Sequence, residues 1–127
     1  MQLIIMGEPR TKKNSPVIAK GKGGRPFILP SKQYREYEQN TLSQIPSIDK
    51  IDYPVNVRCK YYMKTRRRVD LCNLLEATCD ILVKAGVLAD DCSSIVAAHN
   101  GSGVYHDKES PRVEIEIERI EVPVNAL

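Results

Sequence analysis

Charged residues near the middle of the chain have the types and the spacing needed to hold phosphate groups and a metal ion. The arginine run Arg66–Arg68 stands just before Asp70, and the acidic pair Asp90-Asp91 follows about one helix length later. Guanidinium groups bind phosphate oxygens in a planar fork, and carboxylates are preferred ligands of hard cations such as Mg²⁺. The pattern therefore indicates phosphate binding next to a divalent metal site.

The segment between these charges has the periodicity of an amphipathic helix. Its apolar residues recur at three- and four-residue steps, which places them on one buried helix face. They are Leu71, Leu74, Leu75, Thr78, Ile81, Leu82 and Ala85. Asp70 is a suitable N-cap and Gly86 a suitable stop signal, so we predict a helix from about Asp70 to Lys84.

The other face of this helix carries polar side chains that could be metal ligands. At about 3.6 residues per turn, Asn73, Glu76 and Asp80 fall within roughly 60° of one another. After the helix the chain can turn back and bring Asp91 toward them, ahead of a strand predicted at about Ser94–Ala98. Because clustered carboxylates repel one another unless a cation or a bound proton offsets the repulsion, a divalent metal ion is the simplest explanation.

The same acidic residues also have an interpretation without a metal. Asp70 can serve as a helix cap alone. Glu76 and Asp80 can belong to a solvated helix face, with Lys84 as the i,i+4 partner of Asp80. Each of these interpretations is reasonable for a single residue, and it is the nearby pair Asp90-Asp91 that favours the metal.

A strand is predicted to lead into the arginine run. Side chains alternate along 55–62, which predicts a core face and a basic outer face. The core face comprises Val55, Val57, Cys59 and Tyr61. Since the positive charge of the outer face continues through Lys64 to Arg68, we favour phosphate contact for these residues over an ordinary solvated charge run.

The remaining segments predict a small number of further elements. Leu3–Met6 is typical of a first strand, Ser31 can cap a helix over about Lys32–Ser43, and Arg112–Ile120 alternates as a strand with an acidic face. Cations mixed with Gly and Pro over Arg10–Pro26 indicate a mobile loop or a loose hairpin, for which a plain surface loop is an equal alternative. We interpret His99 and His106, in a predicted polar loop, as surface or hydrogen-bonded histidines rather than metal ligands or general bases.

Length and composition limit the possible classes. The 127 residues suit a single domain over 1–127, and the net charge of +3 is only weak evidence for a polyanionic partner. The four cysteines have neither disulfide nor zinc-finger spacing, so we expect reduced thiols. We expect a cytoplasmic location, since no membrane span or basic leader is evident, and no small-molecule cofactor, since nucleotide-binding motifs are missing.

The chain resembles the RusA-type Holliday junction resolvases, small endonucleases common in phages and prophages. The resemblance is carried by 66–74, by Lys84-Ala85-Gly86 and by Asp90-Asp91, and it extends weakly to both ends of the chain. It implies an α+β fold, for which we expect a small mixed, largely antiparallel sheet of about four strands with two principal helices packed on it. It also implies a homodimer that cuts four-way DNA junctions with Mg²⁺, using Asp70 and Asp91.

Two positions depart from the pattern of that family. Where its best-known members have an aspartate, this chain has Cys72, and where they have a catalytic lysine it has Glu76. Cysteine is a soft ligand poorly suited to Mg²⁺, so Cys72 is not expected to replace the aspartate directly. Glu76 could supply the lost oxygen ligand, and a neighbouring arginine the lost positive charge. Alternatively, the chain binds junctions without cutting them, or it is a structural or interaction domain whose charges confer solubility.

The sequence thus predicts metal-assisted phosphodiester hydrolysis. Asp70, Asp91 and Glu76 are the expected catalytic carboxylates, and these three with Asp80 are the expected ligands of Mg²⁺, for which Mn²⁺ can substitute. The expected DNA contacts are Lys12, Lys13, Asn14, Arg66, Arg67, Arg68 and Asn73. Paired cuts across a symmetric junction suit a twofold dimer. Flaps, replication forks or RNA remain alternative substrates.

Overall fold

The computed structural model describes residues 1–12 and 17–127, with the backbone alone for Val17. The strands are β1 (Gln2–Met6), β2 (Val17–Lys20), β3 (Pro26–Leu29), β4 (Val55–Met63), β5 (Val96–Ala98), β6 (Gly103–His106) and β7 (Arg112–Arg119). The helices are α1 (Lys32–Gln44) and α2 (Leu71–Lys84), and a 3-10 turn spans Lys22–Gly24. No helix in these described ranges has the length and apolar character needed to cross a membrane.

The main sheet is mixed and is built around the long strand β4. Strand β7 pairs antiparallel with both β1 and β4, whereas β5 and β6 pair parallel with successive parts of β4. The α+β prediction is therefore confirmed, with five strands in this sheet rather than about four. The additional strand, β6, lies in the segment that we predicted to be a polar loop. Strands β2 and β3 form a separate antiparallel hairpin, which is one of the alternatives that the sequence left open for this segment.

The alternation predicted along β4 is confirmed. Val55, Val57, Cys59 and Tyr61 are fully buried, and they form one core with apolar residues of β1, β7 and α2. The residues of the outer face are half-buried except for Asn56, which is buried. The Asn56 side-chain amide donates a hydrogen bond to the Asn100 carbonyl and accepts one from Asn100 N. This pair of hydrogen bonds fastens the 99–102 turn to β4.

Helix α1 begins at the predicted cap, where the Ser31 hydroxyl accepts a hydrogen bond from Tyr34 N at 3.1 Å. Its buried residues Tyr34 and Tyr37 pack against Ala77 and Ile81 of α2, so the helix contacts its neighbour helix as well as the end of β1. Lys84 of α2 forms an ion pair with Glu38 at 2.6 Å. The predicted i,i+4 pair of Lys84 with Asp80 is therefore wrong, because a carboxylate on the adjacent helix provides the closer partner.

Helix α2 is fixed on β4 by a short chain of hydrogen bonds inside the core. The Thr78 hydroxyl donates to the Leu74 carbonyl at 2.9 Å, so its oxygen accepts the proton of the Tyr61 hydroxyl, 2.7 Å away. Tyr61 is fully buried, and this burial raises the pKa of its hydroxyl well above the usual range. The hydroxyl therefore remains a donor, and the contact sets the rotation of α2 relative to the strand.

This contact can be tested by removing only the donor. We expect Tyr61→Phe to lower the free energy of unfolding by about 1–2 kcal/mol, because the buried Thr78 oxygen no longer accepts a hydrogen bond and keeps only its own bond to Leu74. Urea denaturation measures the change. Tyr62→Phe is the matched control, since Tyr62 is the next residue of the strand and faces outward, and it should change stability little. Equal losses of unfolding free energy in the two variants would show that the buried hydrogen bond does not account for the change in stability.

Candidate active site

A cleft lined by arginines separates the segment after β1 from the segment after β4. We call it the arginine cleft; it encloses about 230 Å³, and its lining includes Glu8, Arg10, Thr11, Arg67, Arg68 and Val69. Glu8 joins its two sides, because one carboxylate oxygen accepts from Lys64 N at 2.9 Å and the other is 3.4 Å from the Arg10 guanidinium. The arrangement concentrates positive charge in a concave site of a size suited to phosphate groups.

Arg10 is a lining residue that the sequence predictions missed. It lies in the same basic segment as Lys12, but only the fold brings it opposite Arg67 and Arg68. Its position directly after the turn that ends the first strand was the one available signal.

A second cavity holds two of the predicted carboxylates. We call it the carboxylate cavity; it encloses about 300 Å³, and its lining includes Cys72, Glu76, Cys79, Asp91, Val96 and His99. The return of Asp91 depends on Gly86, whose φ of 78° suits glycine, and on a parallel bridge between Leu88 and Ile51. The Asp90 side chain then accepts from Asp91 N at 2.7 Å, which stabilises the turn.

Asp70 lies between the two cavities along the chain. Val69 before it lines the arginine cleft, and Cys72 after it lines the carboxylate cavity. As predicted, Asp70 is the N-cap of α2: its Oδ1 accepts from Cys72 N at 3.0 Å. The carboxylate is exposed and stands at the positive end of the helix dipole. Asn73, in the same first turn, is half-buried.

Asp80 forms an ion pair with Lys12. The Lys12 ammonium is 2.6 Å from Asp80 Oδ2, and both side chains are partly exposed. This pair connects the basic segment before the hairpin to α2 and neutralises a carboxylate predicted to bind metal. Lys13 and Asn14, which were predicted to contact DNA, lie outside the described residues.

His99 and Cys79 meet at the back of the carboxylate cavity. His99 Nδ1 is 2.8 Å from the Val57 carbonyl, which can only accept, so Nδ1 carries the proton and Nε2 faces Cys79 Sγ at 3.9 Å. His99 is thus hydrogen-bonded, as we expected. Burial, and to a smaller extent the charges of Cys59, Asp91 and Asp80, raise the pKa of the Cys79 thiol to about 12. Cys79 therefore remains a neutral thiol at physiological pH.

The donors of the carboxylate cavity fit a partial site for a hard divalent cation. Glu76 and Asp91 supply carboxylate oxygens, whereas Cys72 is a poor ligand for such an ion. Across the described ranges, no group of three or more His, Cys, Asp or Glu side chains is close enough to hold a metal ion. Mg²⁺ usually keeps several waters and is bound by one or two carboxylates together with substrate phosphates, so two carboxylates are compatible with it.

The family model for the endodeoxyribonuclease RusA matches residues 6–118. The chain belongs to the RusA family. The matched range contains both helices, the arginine cleft and the carboxylate cavity. RusA proteins are endodeoxyribonucleases that act on Holliday junctions, so the resemblance noted in the sequence is confirmed at the level of the family. A search among curated proteins finds no match to the chain.

The cap at Asp70 can be separated from any chemical role by two substitutions. Asp70→Ala removes the acceptor for Cys72 N, and we expect it to lower the free energy of unfolding by about 1 kcal/mol. Asp70→Asn retains an oxygen at that position, and because asparagine caps helices as well as aspartate does, stability should stay close to wild type. Chemical denaturation of the three proteins measures both effects. Identical stability of the Ala variant and the wild type would contradict the capping role.

Proposed function

We propose that this chain is a metal-dependent, structure-specific endonuclease that resolves four-way DNA junctions by paired phosphodiester hydrolysis. One observation carries the proposal: along the chain, Asp70 stands directly after Val69, which lines the cleft with Arg67 and Arg68, and just before Cys72, which lines the cavity with Glu76 and Asp91. A phosphate bound by these arginines would thus be presented to the start of α2, the helix that is capped by Asp70 and carries Glu76. Membership of the RusA family supports this type of activity and substrate.

Asp70, Asp91 and Glu76 are the residues that would hold Mg²⁺ or Mn²⁺. When bound, the metal ion lowers the pKa of a coordinated water and stabilises charge on the phosphate. Asp80 is a further candidate ligand, because it follows Glu76 by one turn on the same helix. In the structure Asp80 is paired with Lys12, so it would reach a metal only after Lys12 exchanged it for a DNA phosphate.

The basic residues would position the DNA backbone. Arg66, Arg67 and Arg68 are exposed, and no ion pair within the described residues includes them. These three arginines can therefore bind phosphates without giving up an ion pair. Arg10 can join them if it gives up its contact with Glu8. Lys12, Lys13, Asn14 and Asn73 would extend this contact. Such contacts read the shape of the backbone more than the bases.

A homodimer follows from the reaction proposed. Resolution of a symmetric junction requires two matching cuts, and a twofold dimer supplies two equivalent sites. We therefore propose that two copies of this chain act together on one junction. Sedimentation of the purified protein in the presence of a junction would establish the stoichiometry.

The second candidate function is junction binding without cleavage. Cys72 favours it, because this residue lines the carboxylate cavity where another acidic ligand would suit Mg²⁺ better. The two functions differ in one observable, which is nicking in the presence of a divalent metal.

The experiment compares a labelled four-way junction with a linear duplex of the same sequence, in Mg²⁺, Mn²⁺ or EDTA. We expect metal-dependent nicking of the junction, and a loss of about 100-fold or more in Asp91→Asn and Asp70→Asn, because each loses a charged metal ligand. Asp90→Asn is the matched control: Asp90 is adjacent to Asp91, and Asn retains an acceptor for Asp91 N. Binding without nicking would establish the second function. Nicking in EDTA would refute metal dependence.

Replacement of Cys72 tests whether the carboxylate cavity binds a metal ion. We expect Cys72→Asp to bind Mg²⁺ about tenfold more tightly without DNA, because another hard ligand is added to the cavity that holds Glu76 and Asp91. Isothermal titration calorimetry measures this directly. Cys92→Asp adds the same charge at an exposed cysteine that is not part of the cavity lining, and it serves as the control. Equal affinities in the two variants would contradict a metal site at this cavity.

A further inference from the structure

Three flat groups form a row across the outer face of the main sheet. Tyr62 of β4 is paired in register with Arg112 of β7 on one side and with Tyr105 of β6 on the other. The Arg112 guanidinium lies 3.9 Å from the centroid of the Tyr62 ring. The Tyr62 and Tyr105 rings are stacked, with centroids 5.3 Å apart and planes 26° from parallel. We call these residues the stacked row.

The Arg112 end of the stacked row is held rigidly. Arg112 donates from Nε to Glu114 at 2.8 Å and from Nη1 to Asp107 at 2.9 Å. Nη1 also donates to the Ser110 carbonyl at 2.8 Å. The bond from Arg112 lowers the pKa of Asp107, which stays ionised at neutral pH. The guanidinium is therefore fixed against the Tyr62 ring before any ligand arrives.

The Tyr105 end is accessible. Within the described part of the chain β6 pairs with β4 alone, so Tyr105 is at an edge of the sheet, and it is 47% exposed. Its ring lies over Gly103: a Cβ built there would be 3.1 Å from the Tyr105 hydroxyl oxygen. Glycine at this position lets the ring rest on the backbone. Tyr105 is thus both supported and exposed.

Arginines of the candidate active site lie beside this ring. An open cleft of about 560 Å³ is lined by Tyr62, Tyr105, His106, Arg66 and Arg67. Arg67 also lines the arginine cleft, so the two clefts meet at this residue. Exposed aromatic faces next to cationic side chains are the combination with which proteins bind unpaired nucleotides, because the bases stack on the rings and the phosphates meet the cations.

We propose that Tyr105, supported by Tyr62 and Arg112, is a stacking platform for a DNA base left unpaired at a branch point, while Arg66 and Arg67 bind the adjoining phosphates. This inference rests on the proposed function, since it assumes a branched DNA substrate. It deepens that function by naming a feature that a linear duplex lacks. In a duplex every base is already stacked between neighbours, whereas a strand crossover can expose one at modest cost.

The test measures DNA binding in EDTA, so that cleavage does not interfere. For the four-way junction we expect Tyr105→Ala to weaken binding about tenfold or more, and Tyr105→Phe to bind within about twofold of wild type. Affinity for the linear duplex should be the same in all three proteins. Ile4→Ala is the control, because it removes a similarly exposed apolar side chain, 52% exposed, from the far strand of the same sheet. The circular dichroism spectrum and melting temperature verify folding.

A fluorescent adenine analogue at the branch point adds an independent measurement. Stacking on Tyr105 should quench its fluorescence when wild type or Tyr105→Phe binds, and this quenching should be lost in Tyr105→Ala. Equal weakening of junction and duplex binding would overturn the platform, as would unchanged junction binding by Tyr105→Ala. A change of oligomeric state in Tyr105→Ala would instead identify the row as an interface between chains. Wild type that fails to bind junctions at all would refute the proposed function itself.

Discussion

The geometry of the candidate site depends on the buried hydrogen bond between Tyr61 and Thr78. It joins α2 directly to the central strand inside a core whose other contacts are mainly apolar. Successive residues of a helix are separated by about 100° of rotation. A shift of α2 by one residue would therefore turn Glu76 away from Asp91. The hydroxyl pair and the buried apolar face of α2 together thus determine which carboxylates share a cavity.

The charges of the sheet explain why the arginine run is available for a ligand. The basic outer face of β4 lies against the acidic face of β7, where Arg58 is 2.5 Å from Glu116 and also contacts Glu118. These pairs neutralise the charges carried by the strands. Within the described residues, no acidic strand faces the chain beyond the end of β4, so the positive charge of Arg66–Arg68 is not cancelled in this way. Because the charges within the sheet are paired with one another, the excess positive charge of this region lies in the loop before α2.

The sequence predicted well those elements that have a long amphipathic repeat. Helix α2, β4 and β7 were placed within a residue or two, because burial on one face imposes a period that a single sequence displays. Strand β6 was missed, since four residues that begin with glycine and pair in parallel with a distant strand carry almost no local signal. The ion-pair partner of Lys84 was also missed, because it is distant in the sequence and leaves no local signal. Glu38 lies on another helix, and only the packing of the two helices makes it closer than Asp80.

The carboxylate cavity and the arginine cleft together suggest why metal and DNA should bind cooperatively under the proposed function. The cavity supplies two carboxylates, Glu76 and Asp91, and a hard cation there still needs oxygen ligands. A phosphate held by the arginines is the natural source of these ligands. If the substrate completes the coordination of the metal, DNA must raise the affinity for metal, and by linkage metal must raise the affinity for DNA by the same factor. The replacement of an acidic ligand by Cys72 would then weaken the free metal site without preventing assembly of the complete one.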